Sequence, residues 1–232
     1  MNPGAARQRG AALLLVILLL VLGSLHFVLV SSGAHDVHRE ADRAAAYLRR
    51  LREALVGHAL ETGCLPCPSP DPTRGTAPAR CPRPGDRDGY VPWQTLGVEA
   101  TDPWGSVVRY RVSGAYAEGD CRFSAGTRGT LEVATREPDG RVRVLEPAAP
   151  FVLFSPGPNR LGGRRRNGRA APPPPRTHVD ERINLYDARR FRTRPWTEDP
   201  AAAGGPFDDL VAWISPDRLC RLLAHRKGWS CP

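Results

Sequence analysis

From Ala11 to Val30 the chain runs for twenty residues without a formal charge, broken only by Gly23, Ser24 and His26. As a helix rising about 1.5 Å per residue, this stretch reaches roughly 30 Å, the thickness of a bilayer's hydrocarbon core. The pattern then changes. Ala41, Ala45, Leu48, Leu51 or Arg52, Leu55 and Ala59 recur at three- and four-residue steps, with Arg39, Arg43, Arg49, Arg50 and Glu53 between them. That is the period of an amphipathic helix. No proline interrupts between Pro3 and Pro66, and Gly63 stands where a helix would stop. The spacing predicts one helix from about Ala11 to Thr62, softened at Ser31-Ser32-Gly33.

Beyond the helix, residues 63–92 form a loop rich in proline, glycine and cysteine. Residues 93–160 carry the strand signals. Asp102-Pro103-Trp104-Gly105 is a turn by composition, with Asp first, Pro second and Gly fourth. Val107, Val108, Tyr110 and Val112 follow as a strand, with further strands expected at 129–136, 141–146 and 151–155 and a turn at Pro138-Asp139-Gly140. Residues 161–206, with Gly162-Gly163-Arg164-Arg165-Arg166 and Pro172 to Pro175, are expected to be an extended insertion of low order. In 207–232, Ser215-Pro216-Asp217 places a serine cap, a proline at the first helical position and an acid in the first turn. That order predicts a short helix to about Lys227.

A short basic leader ending in Gly10, followed by the apolar and then amphipathic helix, resembles the type IV pilin and type II secretion pseudopilin family. "GCLPCP", "DGYVPWQTLGV", "DPWG…RY", "FVLFSPGPNRLGG" and "DDLVAW" follow in the order found in such proteins. The resemblance implies an α+β fold in which a long N-terminal helix, half transmembrane (11–30) and half amphipathic (31–62), packs on a small antiparallel sheet with a short C-terminal helix. It implies removal of residues 1–10 by a prepilin peptidase cutting between Gly10 and Ala11, and methylation of Ala11. It also implies a single-pass protein of the bacterial inner membrane, its globular domain in the periplasm or on an extracellular filament, with other pilin or pseudopilin subunits as partners. The role implied is structural and not enzymatic. Most members carry a glutamate five residues after the cut. Leu15 stands there in this chain, which points to a minor or tip subunit. Some pseudopilins bind calcium between the last strand and a C-terminal acidic segment, and the matching positions are Ser155, Asn159, Asp208 and Asp209. All four offer oxygen donors suited to a hard cation.

Composition adds charge and cysteine. The net charge is +9, and Lys227 is the only lysine, so arginine supplies nearly all of the positive charge. Arg164, Arg165, Arg166 and Arg169 form the densest basic cluster. It is a candidate for nucleic-acid phosphates, but without interleaved aromatics a solvated loop is the favoured reading over DNA binding. The six cysteines, Cys64, Cys67, Cys81, Cys121, Cys220 and Cys231, all follow the apolar segment. Outside the cytoplasm disulfides are their default. Connectivity does not follow from sequence; Cys220–Cys231, Cys67–Cys81 and Cys64–Cys121 is the expected arrangement. Cys64-Leu65-Pro66-Cys67 also has redox CxxC spacing, but it follows a helix C-terminus, where the dipole raises a thiol pKa instead of lowering it. A zinc site from Cys64, Cys67, Cys81 and Cys121 lacks a second close pair. His35 and His38 are read as a solvated helix face and His26 as a neutral group near the membrane boundary. No catalytic triad, P-loop or GxGxxG is present. The competing reading is an exported or anchored periplasmic binding or thiol-redox protein. In that case Ser32-Gly33-Ala34 would serve as a signal-peptide cleavage site.

Overall fold

The computed structural model describes residues 3–81, 88–117 and 126–224; within the first helix, side chains are described at 16–22 and from 39 onward. The chain divides into two units, Met1–Asp42 and Arg43–Pro232. Helix α1, Pro3–Thr62, supplies the first unit and opens the second.

In the first unit the seven described apolar side chains, Val16 to Leu22, are between 49% and 68% exposed, so they face solvent all round the helix. Among the described residues no helix is long and apolar enough to cross a membrane. Most of the expected membrane half, together with Gly10, Ala11, Leu15, His26, His35 and His38, lies outside the described side chains.

In the second unit α1 becomes one wall of a core. Ala44, Tyr47, Leu48, Leu51, Leu55, Val56 and Ala59 are all buried. The buried line is rotated slightly from the expected one: Ala45 is only half-buried, and Tyr47 turns inward because its hydroxyl donates to the Glu99 carbonyl at 2.6 Å. The helix ends at Thr62, as the sequence spacing required. Gly63 adopts φ 89°, a left-handed conformation that favours glycine, and its N–H donates to the Ala59 carbonyl.

This wall packs on an antiparallel sheet of order β1-β2-β5-β7, formed by Asp88–Tyr90, Arg109–Val112, Phe151–Ser155 and Leu210–Trp213. A second sheet, β4-β3-β6, comprises Val142–Ala149, Leu131–Arg136 and Arg190–Arg192, the β3–β6 pair being parallel. Short helices α2 (Trp93–Leu96), α3 (Gly114–Ala117), α4 (Val179–Tyr186) and α5 (Pro216–Leu223) complete the chain. β5 is buried along its whole length. Phe151 and Leu153 meet the α1 core, while Val152 and Phe154 meet a second core with Leu131, Val133, Ala149 and Phe191. Alternate residues of a strand point to opposite faces. A strand covered on both faces therefore reads as the continuous apolar run "FVLF".

The structure departs from the sequence expectation in its sheets and in the insertion. There are two small sheets instead of one. Residues 161–206 are not a featureless loop, because they carry α4 and β6. α4 turns its polar side inward, burying Asp180, Glu181 and Asn184 while Val179 and Tyr186 stay exposed. Its order comes from long-range pairs: Asp180, fully buried, receives Arg136 at 2.8 Å and Arg194 at 2.9 Å. The last helix keeps its expected start, with the Ser215 hydroxyl accepting from the Arg218 N–H, and runs to Leu223; residues 225–232 lie outside the described residues.

The expected Cys67–Cys81 bond closes the proline-rich loop, and Cys64 and Cys220 are also disulfide-bonded. Cys121 and Cys231 lie outside the described residues. With Cys67 joined to Cys81, the CxxC spacing forms no pair of its own, and neither Cys64 nor Cys67 presents a thiolate for redox or zinc chemistry.

Leu55 on α1 is fully buried and Leu60 is 36% exposed. Leu55→Ala is expected to lower unfolding stability by about 2–5 kcal/mol, and Leu60→Ala by about 0.5 kcal/mol or less. Urea titration of the two variants checks the difference.

Candidate functional site

Three segments converge beside the end of β5. The turn after this strand brings Asn159, the first turn of α4 brings Glu181, and the chain entering β7 brings Asp208 and Asp209. Close approach requires glycine at the turn: Gly157 has φ 61°, and a Cβ there would lie 2.2 Å from the Asp208 carbonyl oxygen. Carboxylate oxygens of Glu181, Asp208 and Asp209, all buried, lie within 4.8 Å of one another.

The polar contacts are specific. Asn159 donates its N–H to Asp208 Oδ2 at 2.8 Å and its side-chain amide to Glu181 Oε1 at 3.0 Å. Glu181 Oε1 also accepts from the Asp208 N–H, and Oε2 lies 2.8 Å from His178 Nδ1. Asp209 Oδ2 accepts from the Asn184 amide at 2.8 Å. Asp208 Oδ1 is buried and has no hydrogen-bond partner. Among the described residues no arginine or lysine pairs with any of the three carboxylates, in contrast to Asp180 one residue away.

Burial with like charges has the expected electrostatic result. Burial, followed by the nearby Glu181 carboxylate, pushes Asp208 up to about 8. The same two causes raise Asp209 well above the usual carboxylate range. Three buried acids without a cation are costly unless they take up protons or receive positive charge. The donor set is entirely oxygen, one oxygen is orphaned, and the group is compact. That chemistry fits a hard divalent cation.

Of the expected ligands, Asn159, Asp208 and Asp209 come together, while Ser155 at the end of β5 engages Asp102. Its hydroxyl donates to Asp102 Oδ2 at 2.6 Å, and it accepts from the Gly157 N–H. Asp102 in turn organises the expected turn, accepting through Oδ1 from the Trp104 and Ser106 N–H groups. Glu181 escapes the sequence reading because it sits in the stretch expected to be an extended insertion of low order. The only local signal was a pair of acids, Asp180-Glu181, in what proves to be a helical first turn. Arg164, Arg165, Arg166 and Arg169 belong elsewhere, on a small exposed hairpin closed by the Arg164–Ala170 bridge. There Arg166 stacks 4.8 Å from the Trp93 ring centre.

A helix laid across a small antiparallel sheet, with an acid-lined turn after the central strand, is a pilin-like α+β arrangement. Over 116 residues the chain is 31% identical to the type II secretion system core protein G of Xanthomonas campestris pv. campestris, a match spanning 49% of this chain and 75% of that protein. No protein-family model and no solved structure matches. The chain belongs to the type IV pilin and type II secretion pseudopilin family.

Proposed function

We propose that the protein is a minor pseudopilin-like subunit, anchored in the inner membrane by α1 and acting in assembly or at the tip of a type II secretion or type IV pilus filament. Its role is structural and not catalytic. The observation that carries this reading is the match to core protein G, supported by an N-terminal helix that continues without a break into the globular core. In this mechanism the apolar half of α1 packs against the same segment of neighbouring subunits while the domain from Arg43 onward stays exposed for contacts. Prepilin peptidase and the other pseudopilin subunits are the partners. Leu15, in place of an acid that would neutralise a neighbouring terminal amine, favours a low-copy position.

Calcium is the proposed ligand of the carboxylate cluster. Glu181, Asp208 and Asp209 would hold it, with Asn159 orienting two of them. The ion would supply the positive charge that these buried acids lack and so fix α4 and the β7 entry to the end of β5. Saturating calcium is expected to raise the thermal midpoint by about 5–10 °C over a chelator-treated sample. Asp208→Asn is expected to remove that increment while keeping the chelator-treated midpoint, since the amide replaces a carboxyl that burial already holds largely uncharged without the ion. An equal calcium increment in Asp208→Asn, or none in the wild type, contradicts the assignment.

N-terminal sequencing of protein from membranes tests the processing. A terminus at Ala11 is expected; one near His35 indicates a cleaved signal peptide and one at Met1 a plain anchor, and either of those contradicts the pseudopilin route.

A further inference from the structure

The four-stranded sheet has two edges, and they are treated differently. At the β1 edge the Ser69 N–H and carbonyl pair with the Tyr90 carbonyl and N–H at 2.8 and 2.9 Å, so that side is closed. β7 is the other edge, paired on one side with β5. Among the described residues no strand pairs with its outer side. Both faces of β7 are packed: Leu210 and Ala212 lie against the α1 core, Val211 and Trp213 against the second core. All four residues are nevertheless only half-buried. Among the described residues, what remains open is therefore the backbone edge.

A groove of about 640 Å³ runs along that edge. Every residue from Asp209 to Ser215 lines it. Consecutive strand residues point to opposite faces, so a groove that touches all of them follows the strand edge-on. Seven residues span roughly 20 Å at about 3.3 Å each, room for a strand of similar length. Leu48 and Leu145 add apolar wall on either side.

The charge of the groove selects the occupant. Arg49 and Arg52 from α1 and Arg218 from α5 line it, and none of the three has an ion pair among the described residues. Arg194 also lines it but is committed to Asp180. The acids there are occupied: Asp209 belongs to the carboxylate cluster, and Glu146 Oε1 accepts from the Ala148 N–H. An excess of guanidinium over carboxylate charge beside this strand edge complements acidic side chains on an extended backbone.

We propose that β7 docks an extended acidic segment of a partner protein as an added strand, with Arg49, Arg52 and Arg218 receiving its carboxylates. Main-chain hydrogen bonds to β7 supply the affinity, and the guanidiniums set the charge preference. The surface is independent of the apolar half of α1, so it can be tested whether or not the filament reading holds.

The test uses the full chain in detergent micelles and a fluorescein-labelled octapeptide of alternating glutamate and valine, followed by fluorescence anisotropy. Saturable binding is expected. It should weaken about tenfold or more in the double variant Arg49→Glu, Arg52→Glu; Arg49 is exposed and Arg52 half-buried, and neither belongs to the buried core. A peptide of the same charge, N-methylated at alternate amides on its pairing edge, should lose binding, as should a lysine–valine peptide. Absence of saturable binding, or equal affinity for the double variant, the methylated peptide or the lysine peptide, overturns the proposal. So does displacement of the acidic peptide by a single-stranded oligonucleotide with the same Arg49 and Arg52 dependence, which would assign the groove to phosphates.

Discussion

Everything in the globular unit depends on the seating of the last turns of α1 against the β1-β2-β5-β7 sheet. Leu51 and Leu55 are fully buried and meet a sheet face that includes Tyr110, Phe151 and Leu153, also fully buried. A small antiparallel sheet cannot hide an apolar face by itself, and an isolated amphipathic helix gains most of its stability from tertiary packing. Each element is therefore conditional on the other. This gives α1 a double character, because the helix whose start is a row of exposed apolar side chains is also a wall of the core.

The second layer of the domain follows from β5 being covered twice. Once Val152 and Phe154 must also be buried, a second core is needed, and β3, β4 and β6 provide it. β6 lies in the insertion and pairs with β3, while α4 holds its place by giving Asp180 to Arg136 and Arg194. The insertion is thus part of the fold. It also brings Glu181 to Asp208 and Asp209, so the same packing that closes the second core assembles the carboxylate cluster. The β7 strand connects the two features: Asp209 at its entry belongs to the cluster, and its outer edge lines the arginine groove.

Local signals in the sequence are legible where local physics decides. Thr62 and Gly63 end α1 because a glycine can take the left-handed conformation there, and Ser215 starts α5 because its hydroxyl caps an exposed N–H. The turn at Asp102 to Gly105 and the strand at Phe151 to Ser155 were legible for similar reasons. α4 was not. Its buried residues are Asp180, Glu181 and Asn184, so its polar pattern is inverted relative to an ordinary surface helix, and only partners distant in sequence explain it. Asp208 and Asp209 stood out as an acidic pair, whereas Glu181 could not be joined to them without the fold. The Ser155 hydroxyl is bonded to Asp102, a contact across 53 positions that no spacing rule contains.

Hydrogen exchange of the full chain in micelles, read at single amides, tests the mutual dependence of helix and sheet most directly. If α1 and the sheet stabilise one another, amides from Leu51 to Leu55 and those of Leu153 open only together, with the same opening free energy and the same denaturant dependence. Exchange of the Leu51–Leu55 amides through a separate, lower-energy opening while Leu153 stays protected would contradict the account.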